Sequence, residues 1–126
     1  MPCHVSKPAF AGFVEEALAD LPEPFKSHLE EMRVEIRDRP TAKELKQAGL
    51  EKDEILLGLY VGHPMTERSV MHSGALPDVI YIFQEDIELV SKSERDLVKE
   101  VRITVLHEIG HHFGMDEDDL DELGYG

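Results

Sequence analysis

The chain has no tryptophan and one cysteine, Cys3. One thiol cannot form an internal disulfide, so a cross-linked scaffold is excluded. Cations are scarce: 13 Lys and Arg stand against 27 Asp and Glu, a formal net charge of −14. Phosphate backbones would be repelled, which argues against nucleic acid as a partner, and an anionic membrane surface is disfavoured in the same way. Long apolar runs are missing too. The longest, Ile55–Val61 and Val79–Phe83, fall far short of a bilayer span. Met1-Pro2-Cys3-His4-Val5-Ser6-Lys7 lacks the apolar centre of a signal peptide. No low-complexity tract or internal repeat is present. These absences point to the cytoplasm.

What remains is 126 residues of ordinary hydrophobic content, 41%, enough for a modest core in one domain spanning 1–126. Ser6 and Pro8 can open a helix with Phe10, Phe13, Val14, Ala17, Leu18 and Leu21 along one stripe. Pro22 and Pro24 end it, and Phe25–Glu31 reads as a further short helix. Met32, Val34 and Ile36 alternate with Arg33, Glu35 and Arg37, as in a half-exposed strand. Thr41-x-x-Glu44 is a capping box, and Gly49 can close the helix it starts. Ile55–Val61 and Val79–Phe83 read as strands, the former interior because both its faces are apolar. Gly62-His63-Pro64 turns the chain, and Met65–Pro77 is irregular. Helices mixed with few strands predict an α+β domain, a small mixed sheet with a long helix packed on it.

That helix carries the most informative run in the chain, His107-Glu108-Ile109-Gly110-His111-His112-Phe113-Gly114. Composition alone yields H-E-x-x-H about 0.05 times in such a chain, and roughly 0.004 times once the following glycine is required. Ser91-x-x-Glu94 and Ser93-x-x-Asp96 can each start the helix. Leu97, Val98, Val101, Val105, Leu106, Ile109 and Phe113 then recur at helical spacing, and Gly114 is a suitable stop. Residues four apart lie one turn above each other, so His107 and His111 can aim two imidazoles at one metal ion. Glu108 sits about 100° round the helix. That is awkward for a ligand but suited to a base acting on water.

A catalytic zinc site usually has three protein ligands and a water. A straight helix would carry residue 117 about 9 Å beyond His111, so Gly114 must let the chain fold back if Glu117 is to be the third ligand. Asp116, Asp118 and Asp119 compete for that role, and Asp116 can equally cap a last helix reaching Leu123. His112 faces another direction than His111 and suits packing or support. His4, His28 and His63 are expected to face solvent. Cys3 beside His4 could block the metal as a thiolate, although a free thiol on a mobile terminus is the plainer reading.

From about Ile55 to the C-terminus the chain resembles the small zincin-like metallopeptidase family. The resemblance rests on Leu57-Gly58-Leu59-Tyr60-x-Gly62, Leu76-Pro77-Asp78-x-Ile80, the H-E-x-x-H-H-F-G run and Leu120-Asp121-Glu122-Leu123-Gly124. It implies a minimal zincin fold, one Zn²⁺, His107 and His111 as ligands, and Glu108 as general base. The family usually has Asp where this chain has Glu117. The chain ends nine residues later, so no Met-turn is expected. The expected activity is hydrolysis of a peptide or protein substrate through a zinc-activated water. The peptide would add to a sheet edge, either Ile55–Val61 or Val79–Phe83, with Tyr81, Tyr125 or His72 as a donor to the oxyanion. The alternative is a non-catalytic metal-binding module serving structure or partner contact. Glu108 favours the enzyme, since a structural site needs no base. An acidic interaction domain without metal is the third reading. Substrate preference and oligomeric state are not encoded legibly.

Overall fold

Ser6 opens the first helix. Its Oγ accepts the Ala9 N–H at 3.2 Å, and Pro8 occupies the first turn, where a missing N–H costs nothing. The computed structural model describes residues 3–23, 25–30, 32–51, 54–62 and 78–112, the side chains of His111 and His112 excepted. In chain order its elements are α1 (Lys7–Ala19), α2 (Phe25–Leu29), β1 (Met32–Arg37), α3 (Ala42–Gln47), β2 (Gly58–Val61), β3 (Asp78–Phe83), α4 (Gln84–Val90) and α5 (Glu94–His112). The turn at His63-Pro64, the segment Met65–Pro77, Phe113, the stop at Gly114 and the helix after Asp116 lie outside the described residues.

The sheet has the order β1-β3-β2. β1 runs parallel to β3, and β2 antiparallel to it. The central place of β3 explains its apolar composition: Val79, Ile80, Ile82 and Phe83 are all buried. β1 forms where its sequence predicts, but the alternation of burial fails at Ile36, which is 37% exposed. Met32 and Val34 pack on the core, while Arg33 and Arg37 pair with Glu35 on the opposite face. β2 departs from expectation. It starts at Gly58 rather than Ile55, and it is an edge strand, not an interior one. The physical cause is at Leu56, whose N–H donates to Asp86 Oδ2 at 2.9 Å. This ties the preceding residues to α4, and Ile55 is left 47% exposed.

One face of the sheet carries the core. Ile80 and Ile82 meet Phe10 and Val14 of α1 and Leu97, Val101, Val105, Leu106 and Ile109 of α5. Each fully buried Leu, Ile or Phe side chain contributes about 1.5–3 kcal/mol, so α5 is anchored along most of its length. The mixed sheet with helices packed on it bears out the α+β expectation. Among the described residues no helix is long and apolar enough to cross a membrane.

Helix α4 was not evident in the sequence. Ser91, read above as a possible start of the long helix, instead ends α4: its Oγ donates to the Ile87 carbonyl at 2.7 Å. The N-terminal segment lies across this short helix. Cys3 N–H donates to the Ser91 carbonyl at 2.9 Å, and Val5 N–H to Glu88 Oε2 at 3.0 Å. These contacts hold Cys3 beside the start of α5. His107 lies about 20 Å further along that helix at 1.5 Å per residue, so Cys3 is not placed to block a metal there. His4 is exposed, as expected, with Nδ1 3.5 Å from Glu88 Oε1. His28 is half-buried rather than solvent-facing.

Candidate active site

Helix α5 begins where Ser93 stops the chain from coiling earlier. Ser93 Oγ accepts the Asp96 N–H at 3.1 Å, and Asp96 Oδ2 reaches back to the Lys92 N–H at 3.2 Å. Glu94 and Asp96 place negative charge at the positive end of the helix dipole. The helix then runs unbroken through Gly110 to His112, as its periodicity predicts.

Its course along β2 sets the site. Gly58 has room for no side chain: a Cβ there would meet Thr104 Cγ2 at 2.5 Å and the Tyr81 carbonyl at 3.0 Å. One turn later along α5, Glu108 Oε1 accepts the Tyr60 N–H at 2.7 Å. Four helical residues advance about 6.0 Å and two strand residues about 6.8 Å, so helix and strand keep step and run in the same sense. A bare glycine lets α5 approach, and the approach brings the motif glutamate to the strand backbone.

Tyr60 lies on the rim of the sheet. Leu57 accepts the Phe83 N–H at 3.0 Å, and Leu59 and Val61 face Tyr81 and Val79. In an antiparallel pair the main-chain groups alternate between partner and exterior, so those of Gly58 and Tyr60 point away from β3. The Tyr60 hydroxyl donates to Asp78 Oδ2. Asp78 is buried, and Gly62 packs against the Tyr60 ring, where a Cβ would come within 2.8 Å of Cε1.

His107 and Glu108 are both half-buried, and His107 Nε2 is shielded from solvent. His111 falls in the last turn of α5, one turn beyond His107. Its side chain lies outside the described residues, as do Glu117, Asp116, Asp118, Asp119, His72 and Tyr125. Among the described residues no three His, Cys, Asp or Glu side chains converge on a metal position. Two imidazoles and a carboxylate are a donor set that suits zinc, and a shielded imidazole one turn below a second histidine fits that use. Tyr81 is not placed to serve as oxyanion donor. It alternates with the core residues Ile80 and Ile82 and so lies on the far face of the sheet. There the Arg37 guanidinium sits 4.2 Å from its ring centre, and Phe83 stacks beside it. The main-chain donor at Tyr60 was invisible to residue-type reasoning, because a backbone N–H has no letter of its own.

A small mixed sheet with an H-E-x-x-H helix laid along its edge strand defines a metallopeptidase-like fold. The chain belongs to the zincin-like metallopeptidase family, whose model matches residues 29–126. No curated protein matches the sequence. Among solved structures, a conserved hypothetical protein from Thermus thermophilus is similar at 26% identity and a TM-score of 0.53, with 94% of this chain and 97% of that chain covered.

Proposed function

We propose that the protein is a zinc-dependent peptidase acting as one domain over residues 1–126. His107, His111 and Glu117 would hold the metal. Zinc, when bound, supplies a Lewis acid that polarises the scissile carbonyl and makes water more acidic. Glu108 takes the proton from the attacking water and returns it to the leaving amine. The peptide adds along the outer rim of β2. β3 cannot be that edge, because it is paired on both sides.

The observation that carries this reading is the 2.7 Å contact between Glu108 Oε1 and the Tyr60 N–H. It sets the candidate base against the edge strand that would dock the substrate, the placement a peptidase needs. The test begins with metal analysis of protein purified without chelator, beside His107→Ala. Near-stoichiometric zinc is expected in the parent and loss in the variant; an empty parent in excess zinc would overturn the proposal. A peptide library is then offered to the zinc-loaded protein and to Glu108→Gln. Cleavage is expected, falling by roughly 10²–10⁴ in the variant. Bound zinc with no cleavage of any peptide would make the protein a non-catalytic metal-binding module.

A further inference from the structure

We infer that the main-chain N–H of Tyr60 is a positioning group for the base: it holds Glu108 by Oε1 and thereby fixes how the carboxylate is presented. This deepens the peptidase reading and rests on it. A glutamate side chain has three rotatable bonds, and only some of its rotamers present an oxygen to a reacting water. A charge-assisted bond from a fixed main-chain donor selects one of them. The donor is itself well fixed. β2 is paired to β3 through Leu59 and Val61. It is tied at its entrance by the Leu56 N–H to Asp86 Oδ2, and Asp86 is almost wholly buried. Thr104 against Gly58 sets how closely α5 can lie. Tyr60 therefore presents its N–H from a strand located at three independent points.

A consequence follows for substrate docking. The main-chain groups of Tyr60 face away from β3, and an added antiparallel strand would normally use its N–H as one of its donors. With that N–H given to Glu108, it is not offered to an incoming strand. Docking at Tyr60 therefore gains nothing from a substrate carbonyl.

Two measurements test this, and the first needs neither metal nor turnover. In metal-free protein, amide hydrogen exchange at Tyr60 should be slower than in Glu108→Ala by about tenfold or more. In Glu108→Gln, whose carbonyl can still accept, most of the protection should remain. Unchanged amides at Ile80 and Val105 show that the fold is intact. Equal Tyr60 rates in the parent and Glu108→Ala would overturn the inference. In the second, the Tyr60 residue is replaced by its α-hydroxy acid, which deletes this one N–H and keeps the side chain. The zinc-loaded ester protein should lose about tenfold or more in kcat, with KM held within about threefold. A raised KM with kcat preserved would mean that substrate takes the N–H, and would also overturn it. If the parent cleaves nothing, the peptidase reading fails while the exchange experiment still decides whether Tyr60 holds Glu108.

Discussion

Two glutamates in this molecule do similar work in different surroundings. Glu88 on α4 accepts the Val5 N–H at 3.0 Å and the Gln84 side-chain N–H at 3.2 Å through the same oxygen. Glu108 on α5 accepts the Tyr60 N–H at 2.7 Å. Each ties a helix to a segment remote in sequence. Glu88, however, is 4% exposed and is bonded to the chain's own N-terminal residues. Glu108 is half-buried and meets the rim of a sheet. The same interaction closes the fold in one corner and leaves a carboxylate beside a docking edge in the other. What separates a structural glutamate from a candidate base here is what surrounds it, not which groups it bonds.

The contrast breaks most sharply if the two residues are exchanged in role. Glu108→Gln keeps an acceptor for Tyr60, so its unfolding midpoint should stay near the parent while peptide hydrolysis falls by roughly 10²–10⁴. A Glu108→Gln protein with parental activity would put both corners in the structural class. Gly58→Ala comes next, because it attacks the geometry rather than the chemistry. Its Cβ would press on Thr104 Cγ2 and on the Tyr81 carbonyl, costing about 1–3 kcal/mol in urea unfolding and lifting β2 off α5. Adding Thr104→Ser removes the methyl and should recover part of that loss. No recovery would mean that the carbonyl contact dominates. Glu88→Ala is the mirror experiment. It strands the Val5 N–H and takes one of two acceptors from the Gln84 amide, which keeps the Val5 carbonyl at 3.1 Å, and should cost about 1–3 kcal/mol, with no change in peptide hydrolysis. A fall in kcat at unchanged folded fraction would connect the two corners.

Much of this was legible beforehand, for identifiable reasons. The stripe from Leu97 to Ile109 predicts α5 because a long helix buried on one side leaves a strong 3.6-residue period, and its stripe is buried as expected except at the half-buried Val98. The alternation in Met32–Arg37 predicts β1 in the same way. The capping box at Thr41 and Glu44 is present with both its hydrogen bonds, and Gly49 closes the turn at φ 77°. β2 was harder. Its apolar residues suggested an interior strand, but of them Leu57 and Tyr60 pack on the core, and the shortening at its start is caused by Asp86, 30 residues from Leu56. α4 lacks a side-chain cap and is only seven residues long, too short for a periodic signal. The H-E-x-x-H run was readable at once. The Tyr60 N–H was not, since nothing in sequence tells which strand residues face outward until the sheet order is known.

The smaller effects grade the same comparison. Ser93→Ala removes the acceptor of the Asp96 N–H at the start of α5 and should cost about 0.5–2 kcal/mol, read as a lower midpoint with the Tyr60–Glu108 contact kept, because that contact lies at the other end of the helix. A third glutamate extends the series to its weakest member. Glu23 Oε1 accepts the Ser27 hydroxyl at 2.6 Å and the Ser27 N–H at 3.0 Å, and these bonds, the hydroxyl's first, hold its carboxyl below the usual glutamate range. The folded-state value is thus lower than the unfolded one. The contribution is complete at pH above the ordinary carboxylate range and is lost as pH falls through the depressed value. Glu23 is fully exposed and its partner is four residues away, so the loss should stay local. Exchange at the Ser27 amide should quicken relative to its intrinsic rate on acidification, while amides in β3 keep their protection. If β3 loosens in parallel, α2 is coupled to the sheet more tightly than an exposed, local hydrogen bond can account for, and the grading from Glu88 through Glu108 to Glu23 by burial and reach would fail.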